Sequence, residues 1–317
     1  MSKKVLIIAG GGGHTGYGYA LAQSLHRRAS LHFLVPKGDE LSRIRMSRFG
    51  EVKTLTKPRG PKTPNLEFIL RFVRAIYEAS LLVSSEYDVV VSTGSNFCIA
   101  PAFFAWLRGL PIVNIESPVR FTKASRTARI LQPISEITAL HWHEQKRILK
   151  GSVVGPMLPR LETRSWNGGY ILVTGGSFGH KALFDVISDS DLEDVVMQTG
   201  QVSPEQYKKR HPSWKIIRYS GKFHELIAGA ELIVTHFGST VLEALIYRKP
   251  MVIVPNPEWT RTVGIKDARC LAKKVNAAVV SDITLNNLLE AMEDAANREL
   301  PVFSNGSNIL ANLILEL

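Results

Sequence analysis

Near its start the chain reads Val5-Leu-Ile-Ile-Ala-Gly10-Gly-Gly-Gly-His14-Thr-Gly16, a short apolar run followed by a glycine-rich turn. A helical stretch, residues 19–28, comes next. Farther along, Tyr170-Ile-Leu-Val-Thr-Gly175-Gly-Ser-Phe-Gly179 repeats this order of apolar run, glycine-rich turn and helical stretch. Both segments therefore predict the strand, turn and helix that begin a parallel α/β unit.

Further runs rich in Val, Ile and Leu follow each opening and alternate with helical stretches. They are residues 31–35, 88–92, 111–115 and 137–141 in the first half, and residues 194–197, 215–218, 231–235, 251–254 and 277–280 in the second. Apolar strands with little polar alternation are typical of a sheet that is covered on both faces. The sequence therefore predicts an α/β protein with two parallel sheets.

The length of the chain and one stretch rich in Gly and Pro predict the domain organisation. The chain has 317 residues, enough for two domains of about 150 residues each. The stretch 155–169, rich in Gly and Pro, separates the two series of strands. We expect one domain at residues 1–159 and another at residues 160–317, with ligands at the carboxyl ends of the strands. Whether the C-terminal helical stretch, residues 305–317, packs back onto the first half stays open.

Composition limits the classes of partner. The chain carries 39 Lys and Arg against 28 Asp and Glu, a net charge of +11, which favours nucleic acid, an anionic membrane or phosphorylated substrates. The two cysteines, Cys98 and Cys270, exclude a disulfide framework and a Cys-based zinc site and favour a reducing compartment. The most apolar stretch, residues 97–113, is interrupted by Arg108 and two prolines. We therefore expect neither an export signal nor a membrane-spanning helix.

The first glycine-rich turn formally fits a dinucleotide-binding fingerprint. However, the second predicted strand ends in Val35-Pro36-Lys37 instead of the acidic residue that would hold a ribose, which disfavours a nicotinamide cofactor. Neither turn contains Gly-Lys-Ser/Thr, so a P-loop is excluded. Glycines before a helix N-terminus still suit an anion. His14 in this turn is either a capping residue or a base for an attacking hydroxyl.

Polar residues follow two other predicted strands. Gly238-Ser239-Thr240 and Glu243 come after the strand 231–235. They fit an N-capped helix and a site for phosphate and ribose equally well. Glu116 ends the strand 111–115, where it is either a base or sugar ligand or the partner of Arg120 in a salt bridge.

Basic residues concentrate between Lys37 and Arg74, where ten of them accompany four acidic residues. The stretch 66–77 combines apolar and basic residues, which suits a helix on an anionic bilayer. The alternative is a core helix with a solvated basic side. The aromatic-interleaved basic pattern of a nucleic-acid platform is not evident, so we expect no nucleic-acid partner. We expect the basic excess on one, membrane-facing side of the first domain.

Taken together, these motifs resemble one family. The first half resembles the acceptor subunit of the eukaryotic enzyme that adds the second GlcNAc to dolichol-pyrophosphate-GlcNAc. The segments that carry this resemblance are Gly11-Gly-Gly-His14-Thr-Gly16 and Asn114-Ile-Glu116-Ser117-x-x-Arg120, running on to Ala139-Leu-His141-Trp142. The second half resembles the catalytic, donor-binding subunit of the same enzyme and the bacterial transferase MurG. The segments that carry this resemblance are Gly229–Leu245 and Lys249-Pro-x-x-x-Val-Pro255. The resemblance spans most of the chain, in the order of an acceptor half fused to a donor half.

This resemblance implies a GT-B glycosyltransferase with two Rossmann-like domains facing across a cleft. Such an enzyme would move GlcNAc from UDP-GlcNAc to a lipid-pyrophosphate-linked GlcNAc in N-glycan precursor synthesis. The resemblance also implies inversion, and hence a β-linkage, with no metal or other cofactor. Because the chain lacks the usual spanning anchor, it implies peripheral attachment to the cytoplasmic face of the cell membrane.

The resemblance assigns site residues to each half. The catalytic candidates are His14 and Glu116, and the acceptor-binding candidates are Gly13, Thr15, Gly16 and Arg120. The donor-binding candidates are Gly176, Ser177, Phe223, Gly238, Ser239, Thr240, Glu243 and Asp267. Phe223 corresponds to the uracil contact and Glu243 to the ribose contact, while Asp267 stands nearest to the position of a family glutamine. Two alternative functions remain open. One is a lipid-independent GT-B UDP-GlcNAc epimerase, and the other is an inert UDP-sugar-binding subunit that recruits a partner transferase. A homo-oligomer is also possible.

Overall fold

The computed structural model describes residues 2–60, 63–259 and 263–317. The chain divides into two compact units, one of Met1–Pro159 with Ser304–Leu317 and one of Arg160–Phe303. The division between Pro159 and Arg160 lies within the stretch 155–169, which is rich in Gly and Pro. Lys62 of the basic segment lies outside the described residues.

The described part of the first unit contains a parallel sheet of seven strands in the order β3-β2-β1-β4-β5-β6-β7. The strands are β1 (Lys4–Ile8), β2 (Ser30–Pro36), β3 (Gly50–Leu55), β4 (Val89–Ser92), β5 (Ile112–Ile115), β6 (Ile137–Leu140) and β7 (Ser152–Val153). The helices between them are α1 (Gly13–Leu25), α2 (Glu40–Ser47), α3 (Asn65–Leu82), α4 (Ile99–Leu107) and α5 (Arg126–Leu131).

The strand order decides where the loops of this unit meet. It reverses between β1 and β4, so the loops after these two strands open a crevice at the carboxyl edge of the sheet. Right-handed crossovers place α1 and α2 on one face and α3, α4 and α5 on the other. Ala79 of α3, Ala102 of α4 and Leu131 of α5 accordingly share a buried cluster with the strands.

The second unit repeats the plan with a parallel sheet whose described strands run in the order β10-β9-β8-β11-β12-β13. They are β8 (Tyr170–Thr174), β9 (Val195–Gln198), β10 (Lys215–Ile217), β11 (Ala230–Thr235), β12 (Met251–Ile253) and β13 (Ala278–Val279). The helices are α6 (Lys181–Ile187), α7 (Glu205–Arg210), α8 (Phe223–Gly229), α9 (Ser239–Ile246), α10 (Ile265–Val275) and α11 (Leu285–Ala296). Here the order reverses between β8 and β11, so the loops after these strands are neighbours.

The last helix, α12 (Gly306–Glu316), belongs to the first unit. The second domain therefore does not extend to the end of the chain, and the expectation of a domain at residues 160–317 is wrong for residues 304–317. The return of the chain is held by Asn305, whose Nδ2 donates to the Leu158 carbonyl at 2.8 Å. Ser24 of α1 donates to the side-chain oxygen of Asn308 at 2.8 Å, so α12 covers α1.

The stretch predicted to be amphipathic forms α3, which packs unevenly. Its buried residues are two alanines, Ala75 and Ala79. Seven of its large apolar residues are exposed, namely Leu66, Ile69, Leu70, Val73, Ile76, Tyr77 and Leu81. Across the described ranges, no helix has both the length and the apolar character that crossing a membrane requires.

The basic segment does not lie on one side of the first unit. Arg43 and Arg45 belong to α2, on one face of the sheet, whereas Arg71 and Arg74 belong to α3, on the other. The expectation of a single basic side is therefore wrong. The physical reason is the crossover geometry, since the chain changes faces when it leaves β3 for β4.

Candidate functional site

The glycine-rich turn after β1 forms the centre of the candidate site in the first unit. Gly11 and Gly12 adopt φ angles of 84° and 58°, a region that favours glycine. A Cβ on Gly10 would collide with the Ser95 hydroxyl. The bare backbone therefore lets the loop after β4 approach, and it leaves the N-terminus of α1 bordered by glycines.

His14 is held by that neighbouring loop. Its Nδ1 lies 2.7 Å from the carbonyl oxygen of Thr93. Because a carbonyl can only accept, Nδ1 carries the proton and the lone pair of the neutral ring is on Nε2. Burial lowers the pKa of His14 to about 4, and the charges of Lys57 and Arg120 act in the same direction. The imidazole is therefore neutral near pH 7 and has a basic nitrogen.

Lys57 brings a positive charge to the glycine-rich turn. Its Nζ donates to the Gly10 carbonyl at 3.0 Å and lies close to Gly11. Burial lowers the pKa of Lys57, which Asp39 partly opposes. An ammonium group beside a helix N-terminus suits an anionic ligand. Lys57 is one of the basic residues between Lys37 and Arg74 and is not among the predicted site residues, although its position just after β3 is a signal in the sequence.

Glu116 is fully buried and engaged by the backbone. One carboxylate oxygen accepts from Ser117 N–H and the other from Ser125 N–H, both at 2.7 Å. Burial raises the pKa of Glu116, while these two amides and then the Arg120 charge oppose the rise. The carboxylate thus holds the loop that carries Arg120, which makes it a less accessible base than His14.

Thr15 and the two flanking glycines, all proposed acceptor contacts, differ in their surroundings. The buried Thr15 hydroxyl lies 2.7 Å from Ser42 Oγ, which itself donates to Asp39 Oδ2 at 2.7 Å. Since Ser42 uses its proton on Asp39, Thr15 donates to Ser42 and ties α1 to the start of α2. Gly13 and Gly16 are only partly buried.

Two aromatic residues that are not among the predicted site residues continue from His14 into the first unit, Tyr17 against the His14 ring and His141 against Tyr17. Tyr17 meets the His14 ring edge-on with centroids 5.9 Å apart, and it meets His141 in the same way at 5.6 Å. Burial raises the pKa of Tyr17 to about 12 and lowers that of His141 to about 3, so both groups are neutral near pH 7. The periodicity of α1 marks Tyr17 only as a core residue, so the sequence alone does not predict its place in the site.

In the second unit, the loops after β8 and β11 carry most of the predicted donor contacts. Gly176 has a φ of 70°, and its N–H donates to Thr174 Oγ1 at 3.1 Å. Ser177 is partly exposed, and its carbonyl accepts from Tyr219 Oη at 3.1 Å. This bond connects the segment after β10, which leads to Phe223 at the start of α8, to the β8 loop.

Gly238, Ser239 and Thr240 lie at the N-terminus of α9, with Glu243 one turn farther along. Gly238 and Ser239 are partly exposed, whereas Thr240 is buried. The His236 ring lies beside Gly238, where a Cβ would be 3.8 Å from its Nε2. Burial, and to a lesser degree His180, lowers the pKa of His236 to about 4. The arrangement provides backbone N–H groups for an anion at a helix N-terminus.

Asp267 has a local structural role. It is buried, and its Oδ2 accepts from the N–H of Gly264, the N-cap residue of α10, at 3.2 Å. The first turn of a helix leaves N–H groups without intrahelical partners, which favours a carboxylate at this position. A contact of Asp267 with a donor sugar stays a prediction. Within residues 2–60, 63–259 and 263–317, no group of three or more His, Cys, Asp or Glu has the arrangement of a metal site.

Two family models divide the chain between them. The model described as "Oligosaccharide biosynthesis protein Alg14 like" matches residues 5–156, and "Glycosyltransferase family 28 C-terminal domain" matches residues 170–312. The chain has the GT-B fold and resembles a fusion of these two domains. The predicted fold and resemblance are therefore confirmed.

Known relatives and structures agree with this assignment. UDP-N-acetylglucosamine--N-acetylmuramyl-(pentapeptide) pyrophosphoryl-undecaprenol N-acetylglucosamine transferase 1 of Bacillus cereus is 23% identical over 266 residues, covering 73% of this chain and 71% of that protein. The corresponding transferase of Salinibacter ruber, whose description carries no final number, is 27% identical over 256 residues, covering 72% of this chain and 68% of that protein.

Among solved structures, MurG of Acinetobacter baumannii superposes with a TM-score of 0.69 at 18% identity, covering 100% of both chains. UDP-GlcNAc 2-epimerase of Methanocaldococcus jannaschii, in complex with UDP-GlcNAc and UDP, superposes with a TM-score of 0.66 at 16% identity, covering 99% of both chains. These likenesses establish the GT-B fold.

Proposed function

We propose that the chain transfers GlcNAc from UDP-GlcNAc to a lipid-pyrophosphate-linked GlcNAc, with inversion to a β-linkage and without a metal ion. The observation that carries this proposal is the neutral His14, whose Nε2 lone pair lies beside the glycine-rich turn of an Alg14-like domain. A neutral imidazole with a fixed tautomer is suited to removing a proton from a sugar hydroxyl.

The first unit would bind and activate the acceptor. The N-terminus of α1 and Lys57 would hold the pyrophosphate, since both present positive charge at the turn. As the acceptor hydroxyl oxygen forms a bond to C1 of the donor GlcNAc, its proton moves to His14 Nε2. Glu116 would act as a positioning residue, because its oxygens already bind two backbone amides.

The second unit would bind UDP-GlcNAc and stabilise the departing UDP. The backbone around Gly176 and Ser177 and the first turn of α9 would bind the diphosphate, which takes the electron pair of the broken C1–O bond. Phe223 would contact the uracil and Glu243 the ribose hydroxyls. A helix N-terminus can stabilise the leaving group's charge electrostatically, which is the role that a metal ion has in other transferases.

Peripheral attachment to the cytoplasmic face of the membrane belongs to the same proposal. The seven exposed apolar residues of α3 and the net charge of +11 favour an anionic bilayer. A role in N-glycan precursor synthesis on a dolichol carrier is supported by the match to the Alg14-like model.

The decisive experiment is one incubation of the purified chain with UDP-GlcNAc and a synthetic GlcNAc-pyrophosphoryl lipid, with and without EDTA. We expect the lipid to gain one GlcNAc by mass spectrometry, one UDP to appear per transfer, and EDTA to have no effect. Inhibition by EDTA that Mg²⁺ reverses would contradict metal independence. Epimerisation of UDP-GlcNAc without any acceptor would identify an epimerase, and UDP binding without turnover would identify a recruiting subunit.

A further inference from the structure

An apolar groove of about 540 Å³ lies on the α3–α5 face of the first unit. All of its lining residues are apolar, and they include Phe72 and Ile76 of α3, Ile99, Phe103 and Trp106 of α4, and Ile130 of α5. Its floor is formed by Ala100 and Leu131, which are buried in the core. The groove is therefore a concave extension of the core that reaches the surface.

Large side chains on the walls of this groove remain exposed. Phe103 is 47% exposed, Trp106 is 48% exposed and Ile130 is 55% exposed. A ligand that covers these side chains removes their apolar surface from water, which favours binding. A contiguous apolar surface of this kind marks a site where an apolar ligand or partner binds.

The groove begins close to the candidate acceptor site. The loop after β4 contacts that site, since a Cβ on Gly94 would be 3.0 Å from the His14 ring. The same segment continues through a 3₁₀ turn, Asn96–Cys98, into α4, whose first residue, Ile99, lines the groove. The other side of the groove is α3, whose exposed apolar residues are the proposed bilayer contact.

The charges divide between the glycine-rich turn and the groove. Lys57 presents a cation at the turn, whereas every residue that lines the groove is apolar. This arrangement is complementary to a ligand with an anionic head at the turn and a hydrocarbon tail in the groove.

We propose that this groove binds the first isoprenoid units of the acceptor's lipid tail, next to the pyrophosphate that the glycine-rich turn holds. This inference rests on the proposed function, which supplies a lipid-pyrophosphate acceptor. The groove thereby lets the chain recognise the lipid as well as the sugar and pyrophosphate.

The test measures binding and needs no transfer reaction. The full chain is titrated with geranylgeranyl diphosphate below its micelle concentration, and with inorganic pyrophosphate, while tryptophan fluorescence is recorded. We expect a blue shift with geranylgeranyl diphosphate that Trp106→Phe abolishes, and tighter binding of the isoprenoid than of pyrophosphate. Equal affinities for the two ligands would overturn the proposal.

Ile130→Ser and Ile69→Ser form a matched pair, because both isoleucines are 55% exposed and only Ile130 lines the groove. We expect Ile130→Ser to weaken geranylgeranyl diphosphate binding roughly ten-fold, the effect of losing one apolar contact. Pyrophosphate binding should not change, and Ile69→Ser should bind geranylgeranyl diphosphate as wild type does.

Equal losses of geranylgeranyl diphosphate binding in both variants would assign the tail to the open surface of α3. A dimer that Ile130→Ser dissociates would assign the groove to a second copy of the chain. Either result overturns the proposed groove. If the chain binds the isoprenoid but transfers no GlcNAc, the result counts against the proposed reaction alone.

Discussion

His14 Nδ1 and the Thr93 carbonyl oxygen are 2.7 Å apart, and this contact joins the first turn of α1 to the residue that follows β4. It fixes the tautomer of a histidine whose pKa is lowered to about 4, mainly by burial. Two strands that are distant in sequence and adjacent in the sheet thus produce one neutral imidazole with a fixed tautomer.

The pH profile of GlcNAc transfer should test the proposed role of His14 as the base. Because the pKa of His14 is lowered to about 4, we expect the acidic limb of kcat/KM near pH 4, well below the usual histidine value of about 6.5. His14→Ala should lower kcat roughly a hundred-fold or more. An acidic limb at the ordinary histidine pKa, or full activity of His14→Ala, would contradict the assignment.

Glu116→Gln should separate positioning from proton transfer. Both carboxylate oxygens accept from backbone amides, so an amide NH₂ group at one position would face a donor. We expect a loss of stability of about 1–3 kcal/mol, with the position of the acidic limb unchanged. The free energy of unfolding and the pH profile provide the two readouts, and loss of the limb would instead make Glu116 the base.

Lys57→Met should weaken binding of the pyrophosphate group. Loss of one charged hydrogen-bonding partner costs about 1.5–3 kcal/mol, so KM for the acceptor should rise at least about ten-fold. Lys53→Met is the matched control, because it removes the same charge from β3, where Lys53 pairs with Glu51 at the surface. Equal effects of the two variants would indicate general electrostatics instead of a specific contact.

Thr15→Val should affect stability and leave the acceptor KM unchanged. The Thr15 hydroxyl is buried and bonded to Ser42, so its loss should lower the free energy of unfolding by about 1 kcal/mol. Thr15→Ser, which keeps the hydroxyl, should restore most of this stability in a urea titration. A large rise in acceptor KM in Thr15→Val would return this residue to the binding site.

Acid should destabilise both units through buried histidines. Burial lowers the pKa of His141 to about 3 and that of His180 to about 4. Unfolded histidine titrates near 6.5, so below that pH the unfolded state binds more protons and the free energy of unfolding falls. At pH 5 the loss should be about 2 kcal/mol per histidine, with no contribution above pH 7.

His180→Asn tests this linkage while preserving the helix cap. His180 Nδ1 accepts from the Leu183 N–H at 3.2 Å, a role that asparagine performs well. We expect the variant to lose less stability between pH 7 and pH 5 than wild type, measured by urea unfolding at each pH. An unchanged pH dependence would mean that His180 does not titrate with folding.

Bilayer attachment can be tested with two isoleucines on opposite faces of the sheet. Ile69 of α3 is 55% exposed and Ile44 of α2 is 57% exposed. We expect Ile69→Glu to weaken binding to anionic liposomes roughly ten-fold, because it removes apolar contact and adds a negative charge. Ile44→Glu makes the same charge change and should have a smaller effect in the same sedimentation assay. Equal losses would show that net charge, and not the α3 surface, governs binding.

The sequence by itself determined the fold class and predicted two candidate bases, His14 and Glu116. Buried parallel strands require continuous apolar runs, and tight turns before helices require glycine, so both openings of the chain were recognisable from local patterns. His14 was found because it lies inside such a turn. These features depend on residues that are neighbours in sequence, which is why composition and spacing revealed them.

The tertiary structure decided the partners of these residues. Lys57 reaches Gly10, and Ser125 binds Glu116, because strand order brings together loops that lie far apart in the chain. The return of α12 to the first unit likewise depends on the close approach of Gly306 to Gly155. Local periodicity carries no information on which loops become neighbours, since that is set by the order of strands across the sheet and by packing between distant segments.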